Sequence, residues 1–379
     1  MQLKLSILTC SLLCFSSLYA EDYVNVQYVG YDEDSGRTTI YSPSIEINKD
    51  FGADYALNLF FTIDSLSGAS PTYFDASSGA SASSKGETEI ENIKYGDIDY
   101  DDNRNAGGIL LTKRFASRDE LTVGVNVSRE RDYYANEVSG EYLHYLDQSK
   151  NQSISFGASY QKNEILIDCK LGNDECDSSS GASEVKNLDV VSAEVGFTQV
   201  IDKTSLVKAS IFYINEDGYL DNPYMRIVRN YNTSSEITQE SKPDTRVAYG
   251  TLIQYSKALN SKISTTSSYR LYSDDWDITS HTISGDLYYE VTDKLTTGVG
   301  LRYYIQSEAK FYSAKKDYFT EQLYASSDRR MSDFTSINYK LSSDYKINNK
   351  ISINGGLTYY SQPDYFDAFY YNIGAKYRF

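Results

Sequence analysis

From residue 21 onward the chain is built of runs in which apolar and polar side chains alternate. In Leu121-Thr122-Val123-Gly124-Val125-Asn126-Val127-Ser128 every odd position is apolar and every even one small or polar. Val191, Ala193, Val195 and Phe197 alternate with Ser192, Glu194, Gly196 and Thr198, and Val247, Tyr249, Thr251, Ile253 and Tyr255 share one parity. The same holds for Val299, Leu301, Tyr303 and Ile305, and for Ile351, Ile353, Leu357 and Tyr359. A period of two puts one set on each face of a β-sheet. No stretch after Ala20 approaches the roughly 18 consecutive apolar residues of a transmembrane helix.

Paired from the C-terminus, these runs predict strands at 21–33, 37–50, 54–66, 104–116, 120–134, 140–147, 152–168 and 187–200. Eight more follow at 205–217, 243–258, 262–276, 278–292, 295–312, 329–346, 351–361 and 367–379. The total is sixteen, or fourteen without the hairpin around 140–147, which turns at Gln148 to Asn151. Asp202-Lys203-Thr204, Asn260-Ser261-Lys262, Thr292-Asp293-Lys294 and Asn348-Asn349-Lys350 read as tight turns, and longer, polar, acidic connections lie between them. An even count with this asymmetry predicts a fold that is all-β: a transmembrane, antiparallel, up-and-down barrel with both termini periplasmic.

The two faces differ in chemistry. One is a band of Val, Ile, Leu, Phe and Tyr; the other carries Gly, Ser, Thr, Asn and recurrent charge. Glu194, Arg246, Arg270, Asp286, Glu290, Arg302, Lys340, Asp344 and Lys376 fall on the polar parity. A soluble sandwich would bury the apolar face against a second sheet. A barrel turns it to lipid and encloses the polar face around a wet lumen, and only closure satisfies every backbone group in hydrocarbon. The barrel reading is favoured by tyrosine pairs at strand ends, Tyr288-Tyr289, Tyr303-Tyr304, Tyr359-Tyr360 and Tyr370-Tyr371, placed as an interfacial girdle would be. The lumen charges are expected to face one another across the channel, setting a transverse field, or to neutralise one another in a plugged barrel. The last strand alternates until the chain ends on Phe379. Its Asn372, Gly374, Tyr377 and Phe379 resemble the C-terminal signal read by the bacterial barrel-assembly machinery.

Residues 1–20 read as a secretory signal peptide: Lys4, an apolar run from Leu5 to Phe15, then Ser16-Ser17-Leu18-Tyr19-Ala20. Leu13 before Cys14 is too bulky for a lipid-attachment site. Residues 21–379 are then one barrel domain, exported to the outer membrane of a Gram-negative bacterium. In that oxidising setting Cys169 and Cys176 read as a disulfide clipping a short loop; a metal site there would need two further soft ligands, and no His lies nearby.

Composition narrows the function. The chain has 379 residues, 53 acidic and 36 basic, a formal charge of −17, 37 Tyr, and only 2 His and 1 Trp. An acidic protein is no partner for nucleic acid. Gly-x-Ser-x-Gly and Gly-rich phosphate loops are absent, and no cofactor is implied. His144 and His281 are the sole histidines; His281 shares the lipid-facing parity of Ile283 and Leu287, where a lipase could meet its substrate, but position 279 is Thr and Ser280 and Ser284 fall on the opposite face, so a barrel lipase is the least supported reading. Ser65 to Asn103 reads as the longest loop, with 8 acidic and 2 basic residues. Its Asp97, Asp99, Asp101 and Asp102 are either a solvated acidic run or ligands for a divalent cation bridging lipopolysaccharide. Asn215 to Pro243 reads as an ordered loop, from its Gly218-Tyr219-Leu220-Asp221-Asn222-Pro223-Tyr224.

Asp64-Ser65-Leu66-Ser67-Gly68-Ala69-Ser70-Pro71, Asp102-Asn103-Arg104 and Asp217-Gly218-Tyr219-Leu220-Asp221-Asn222-Pro223-Tyr224 resemble a family of bacterial outer-membrane barrels catalogued only as a domain of unknown function. The resemblance spans the mature chain and implies a barrel with no established substrate or active site. It also implies neighbourhood with small lipoproteins, thioredoxin-like proteins and flavin-attaching enzymes, hence a partner role in an extracytoplasmic redox system. Two functions therefore compete: a passive channel or solute-specific porin, and a non-conducting scaffold for a periplasmic or surface partner. Outer-membrane lipid and lipopolysaccharide are the expected surroundings in both.

Overall fold

The computed structural model describes residues 22–34, 37–75, 88–90, 93–167, 184–230, 234–313, 322–363 and 365–379, with backbone alone at 68–75, 88–90 and 93–101. The signal peptide, Cys169 and Cys176 lie outside the described residues. The strands are β1 (Tyr23–Glu33), β2 (Thr38–Phe51), β3 (Tyr55–Asp75), β4 (Thr88–Ile90), β5 (Ile93–Arg114), β6 (Glu120–Arg129), β7 (Tyr133–Tyr145), β8 (Gln152–Ile167), β9 (Glu184–Asp202) and β10 (Ser205–Gly218). They continue with β11 (Arg226–Arg229), β12 (Glu236–Gln239), β13 (Thr245–Ala258), β14 (Ile263–Asp274), β15 (Thr279–Thr292), β16 (Leu295–Gln306), β17 (Phe334–Lys346), β18 (Ile351–Gln362) and β19 (Phe366–Arg378).

Sixteen of these form a closed antiparallel wall, because β1 pairs with both β2 and β19 and each wall strand pairs with its sequence neighbours. The short β4 adds only to the tip of β5, and β11 with β12 forms a separate hairpin. Closure explains how so many exposed apolar residues coexist with paired backbones. Val123, Val125 and Val127 are 47%, 54% and 45% exposed on the outside, whereas Gly124 and Asn126 between them face inward. Inside, hydroxyls pair across strands, Thr112 with Thr122 at 2.9 Å and Ser268 with Ser284 at 2.7 Å.

The tight turns share one device. At Asn260 and at Asn348 the side-chain oxygen accepts from the backbone N–H groups two and three residues on, at 2.8 and 2.9 Å in each case. Thr292 Oγ1 does the same at 3.2 and 3.0 Å, and Asp202 Oδ1 takes the Thr204 N–H at 2.7 Å. A side chain that mimics the missing backbone partner fixes the reversal and thereby the register. Both ends of the described chain lie at this short-turn end, where Tyr23 opposes Arg378.

Several sequence boundaries are corrected. Residues 65–75 and 93–103 are not loop: β3 and β5 stay paired from Tyr55↔Lys113 to Asp75↔Ile93. β2 leaves β3 at Gly68 and β6 leaves β5 at Asn105, so the ribbon continues alone beyond the wall. Outside hydrocarbon a ribbon needs no apolar band, so Ser, Ala, Gly and Asp occupy it without breaking it. The strand expected at 140–147 begins at Tyr133, because the β6–β7 turn is Glu130-Arg131-Asp132, not 135–139. The strands expected at 295–312 and 329–346 shorten to β16 and β17, since 307–313 and 322–333 fold away from the wall.

Candidate functional site

Those departing segments build a cap at the long-loop end. Residues 219–244, carrying the β11–β12 hairpin, meet 307–313 and 322–333 in an antiparallel bridge: Ala325 N–H donates to Ser241 O at 2.7 Å and Ser241 N–H to Ala325 O at 3.0 Å. The hairpin leaves the wall between β10 and β13 yet lies against β3, on the far side of the strand order. It therefore crosses the mouth.

Two kinds of interaction hold the cap. One is apolar: Trp276, Phe311, Ala309 and Met331 pack on Ile165, Ile167, Leu188 and Val190, which the far ends of β8 and β9 turn inward. Trp276 is 1% exposed, meets Phe311 edge-on at 5.0 Å, and donates its Nε1–H to Thr245 O at 3.0 Å. The other is ionic. Glu240, wholly buried, pairs with Lys242 and accepts from Asn222 N–H at 2.7 Å and Ser326 Oγ at 2.5 Å. Asp328 accepts from Arg330 through both oxygens; burial opposes its charge, but Arg330 and Lys242 outweigh that and hold the carboxyl below its usual range.

Below the cap, all nine charged residues singled out on the polar parity lie on the inward register. Their grouping differs from the expected one. Arg246, Arg270, Arg302, Lys340 and Lys376 occupy one arc, β13 to β19, and Asp286, Glu290 and Asp344 share it; only Glu194, on β9, lies off it. Lys340 Nζ approaches Asp286 Oδ1 at 3.4 Å across Gly300, which lies between them in the register. Glu290 and Asp344 make no ion pair among the described residues. Arg246 is claimed by two acids the sequence reading missed, Asp274 at 2.9 Å through Nε and Glu216 at 3.8 Å. Asp274 also accepts from the Trp276 and Ile278 N–H groups, each at 3.0 Å, so one carboxylate ties the arc to the cap. The Asp-Asp-Trp-Asp turn at 274–277 was the available signal for it.

The arc carries aromatic rings beside its cations. Arg270 stands 4.8 Å from the Phe212 ring, Arg302 5.3 Å from Tyr304, and Lys376 3.7 Å from Tyr23. Phe212 fits because its inward neighbour across the strand is Gly250; a Cβ there would lie 2.5 Å from Phe212 Cζ. The acids facing this arc, also missed, are Glu120, Glu137 and Glu141 on β6 and β7, half the strand order away.

The remaining candidates separate. Asn372 and Gly374 face inward, and Tyr377 and Phe379 stack outside with 6.2 Å between centroids. Asp97, Asp99 and Asp101 lie on β5, where the backbone alone is described. Asp102 instead joins Glu130 and Asp132, their oxygens within 4.8 Å of one another, a donor set suited to a hard cation. Burial foremost, with Asp102 and Asp132 adding to it and Arg104 opposing, pushes Glu130 up to about 7. His281 Nδ1 contacts the Tyr269 hydroxyl at 2.8 Å. His144 Nδ1 contacts Asp119 Oδ1 at 2.9 Å, and Ser117 Oγ donates to the same carboxylate at 2.9 Å.

A family model described as "Protein of unknown function (DUF3570)" matches residues 13–370. No curated protein matches the chain. Among solved structures, a bacterial polysaccharide outer membrane secretin aligns over 96% of this chain and 99% of its own at 7% identity, with a TM-score of 0.50. The CymD monoaromatic hydrocarbon channel aligns over 96% and 89% at 8% identity and TM-score 0.45. A mutant of the ferric enterobactin receptor PfeA from Pseudomonas aeruginosa aligns over 91% and 54% at 10% identity and TM-score 0.45, so this chain spans about half that receptor's length. At such identities the likeness is one of fold, that of outer-membrane barrels.

Proposed function

The chain belongs to the DUF3570 family of proteins of unknown function, and we propose that it is a passive outer-membrane channel selective for particular solutes. The observation that carries this is a closed sixteen-stranded wall with a charged, hydroxyl-rich inner face, since sixteen strands enclose an aqueous lumen. The cap narrows one mouth, which favours selectivity over general leakage. In this reading the short-turn end and both termini are periplasmic, the leader is removed on export, and Asn372, Gly374, Tyr377 and Phe379 guide assembly. No residue is assigned a catalytic role. Refolded protein in a planar bilayer is expected to open in discrete steps, with larger steps when 307–333 is replaced by a tight turn.

A second reading, a non-conducting anchor for a periplasmic or surface partner, is favoured by the same cap and by the β3–β5 ribbon rising past its neighbours. Silence of both the intact and the cap-deleted barrel at high loading would overturn the channel and leave the anchor.

A further inference from the structure

Arg302 differs from the other cations of its arc. Arg246 is engaged by Asp274 and Glu216, and Lys340 by Asp286. No carboxylate among the described residues pairs with Arg302; its recorded contact is the face of Tyr304. Arg302, Asn338 and Tyr360 are successive register partners across β16, β17 and β18, all facing the lumen. Asn338 Oδ1 is buried without a hydrogen-bond partner, an open acceptor next to an open cation. The rings around them are held: the Tyr304 hydroxyl donates to Gln306 Oε1 at 2.6 Å, that of Tyr360 to Gln362 Oε1 at 2.8 Å, and Tyr370 packs on Tyr31 at 4.5 Å. Phe334 packs on Tyr304 at 5.4 Å and Phe366 on Tyr360 at 5.2 Å, so these rings are already ordered and lose little rotamer freedom when a planar group joins them.

We propose that this part of the wall binds small anions carrying an aromatic ring, with Arg302 holding the anion and the Tyr304–Tyr360 side of the arc taking the ring. A guanidinium matches a carboxylate in a two-point contact, and an arginine already stacked on a ring is pre-placed for it. A hydroxyl on the ring would find the Asn338 acceptor. The proposal rests on the channel reading for its purpose, yet the site is testable without conduction.

Titration calorimetry of the full-length barrel in detergent at fixed ionic strength would compare sodium benzoate with benzamide, which keeps the ring and lacks the charge, and sodium acetate, which does the reverse. Benzoate is expected to bind at least about tenfold more tightly than either, and Arg302→Gln to weaken benzoate about tenfold or more while leaving benzamide unchanged. Arg302→Lys keeps the charge without the fork and is expected to lose part of the affinity; it carries the test if the glutamine variant does not refold. Benzoate no tighter than acetate, or indifferent to both substitutions, overturns the site even if the barrel conducts. Benzoate binding in a barrel silent in bilayers overturns the channel and leaves the site.

Discussion

Phe311→Ala is expected to open the cap and leave the wall intact. Phe311 is 5% exposed and meets Trp276 edge-on at 5.0 Å. Removing a buried Phe costs about 3–5 kcal/mol through lost transfer energy and the cavity left behind. Its neighbours Ala309 and Met331 belong to the same loop, and none of the wall pairings passes through it. The cost therefore falls on a local equilibrium, raising the open fraction of the cap by about 10²–10⁴ while global stability holds. Two reporters are built in. Trp276 is the single tryptophan, so quenching of its fluorescence by iodide reads the cap alone. The Lys310 amide donates to Trp276 O at 2.9 Å, and that of Ala309 to Met331 O at 2.8 Å. Their hydrogen-exchange protection should fall by the same factor, with amides of β17 and β18 unchanged. Unaltered quenching and unaltered protection would show that the Trp276–Phe311 core does not hold the cap shut.

The ionic half of the cap gives a second expectation. Lys242→Met leaves Glu240 charged and buried without its partner, a loss of about 3–5 kcal/mol, read as faster exchange of the Asn222 amide and as proteolytic cutting within 219–244. The third concerns the β6–β7 turn. The folded value of Glu130, about 7, stands above the ordinary glutamate value of 4.5. The protonated group favours the fold, so its contribution is complete below about pH 4.5 and is lost as pH rises through 7, at most about 3 kcal/mol. Carboxyl-carbon NMR titration should place its midpoint near 7, and Glu130→Gln should abolish the loosening of the turn between pH 5 and 8; a midpoint near 4.5 would refute the burial argument.

The wall was legible in sequence because a membrane barrel imposes its solvent on every second residue. Val123-Gly124-Val125-Asn126 can be read without knowing its neighbours, since lipid lies on one side and water on the other. The turns were legible for an equally local reason: Asn260 and Asn348 bond to their own chain two and three residues on. Where lipid ends, so does the code, and residues 65–75 and 93–103 of the β3–β5 ribbon read as loop although their backbone stays paired. The cap was beyond reach for a different reason. The Glu240–Ser326 contact joins residues 86 apart, with nothing local to announce it. The lumen charges fall between these cases. Parity gave the face of Asp286 and Lys340, but their meeting depended on Gly300 on the strand between them, and their place on the circumference on the order of sixteen strands.

That circumferential order also bears on how an acidic protein would handle an anion. With a formal charge of −17, the chain as a whole repels anions at long range, and at physiological ionic strength that repulsion is screened within about 8 Å. The arginines of β14 and β16 act within the same short distance, so the net charge does not decide what a solute meets inside the barrel. What it meets depends on which wall it touches. Toward β13 to β19 an anion finds Arg302, with no acid paired to it among the described residues, beside Asp286, Glu290 and Asp344; toward β6 and β7 it finds Glu120, Glu137 and Glu141. Arg37 and Arg329, 4.4 and 4.8 Å from the ring of Tyr365 between β18 and β19, place cations at the long-loop end of the arc. Glu33 pairs with Arg37 at 3.7 Å, so this end, like the arc below it, sets cations and carboxylates side by side.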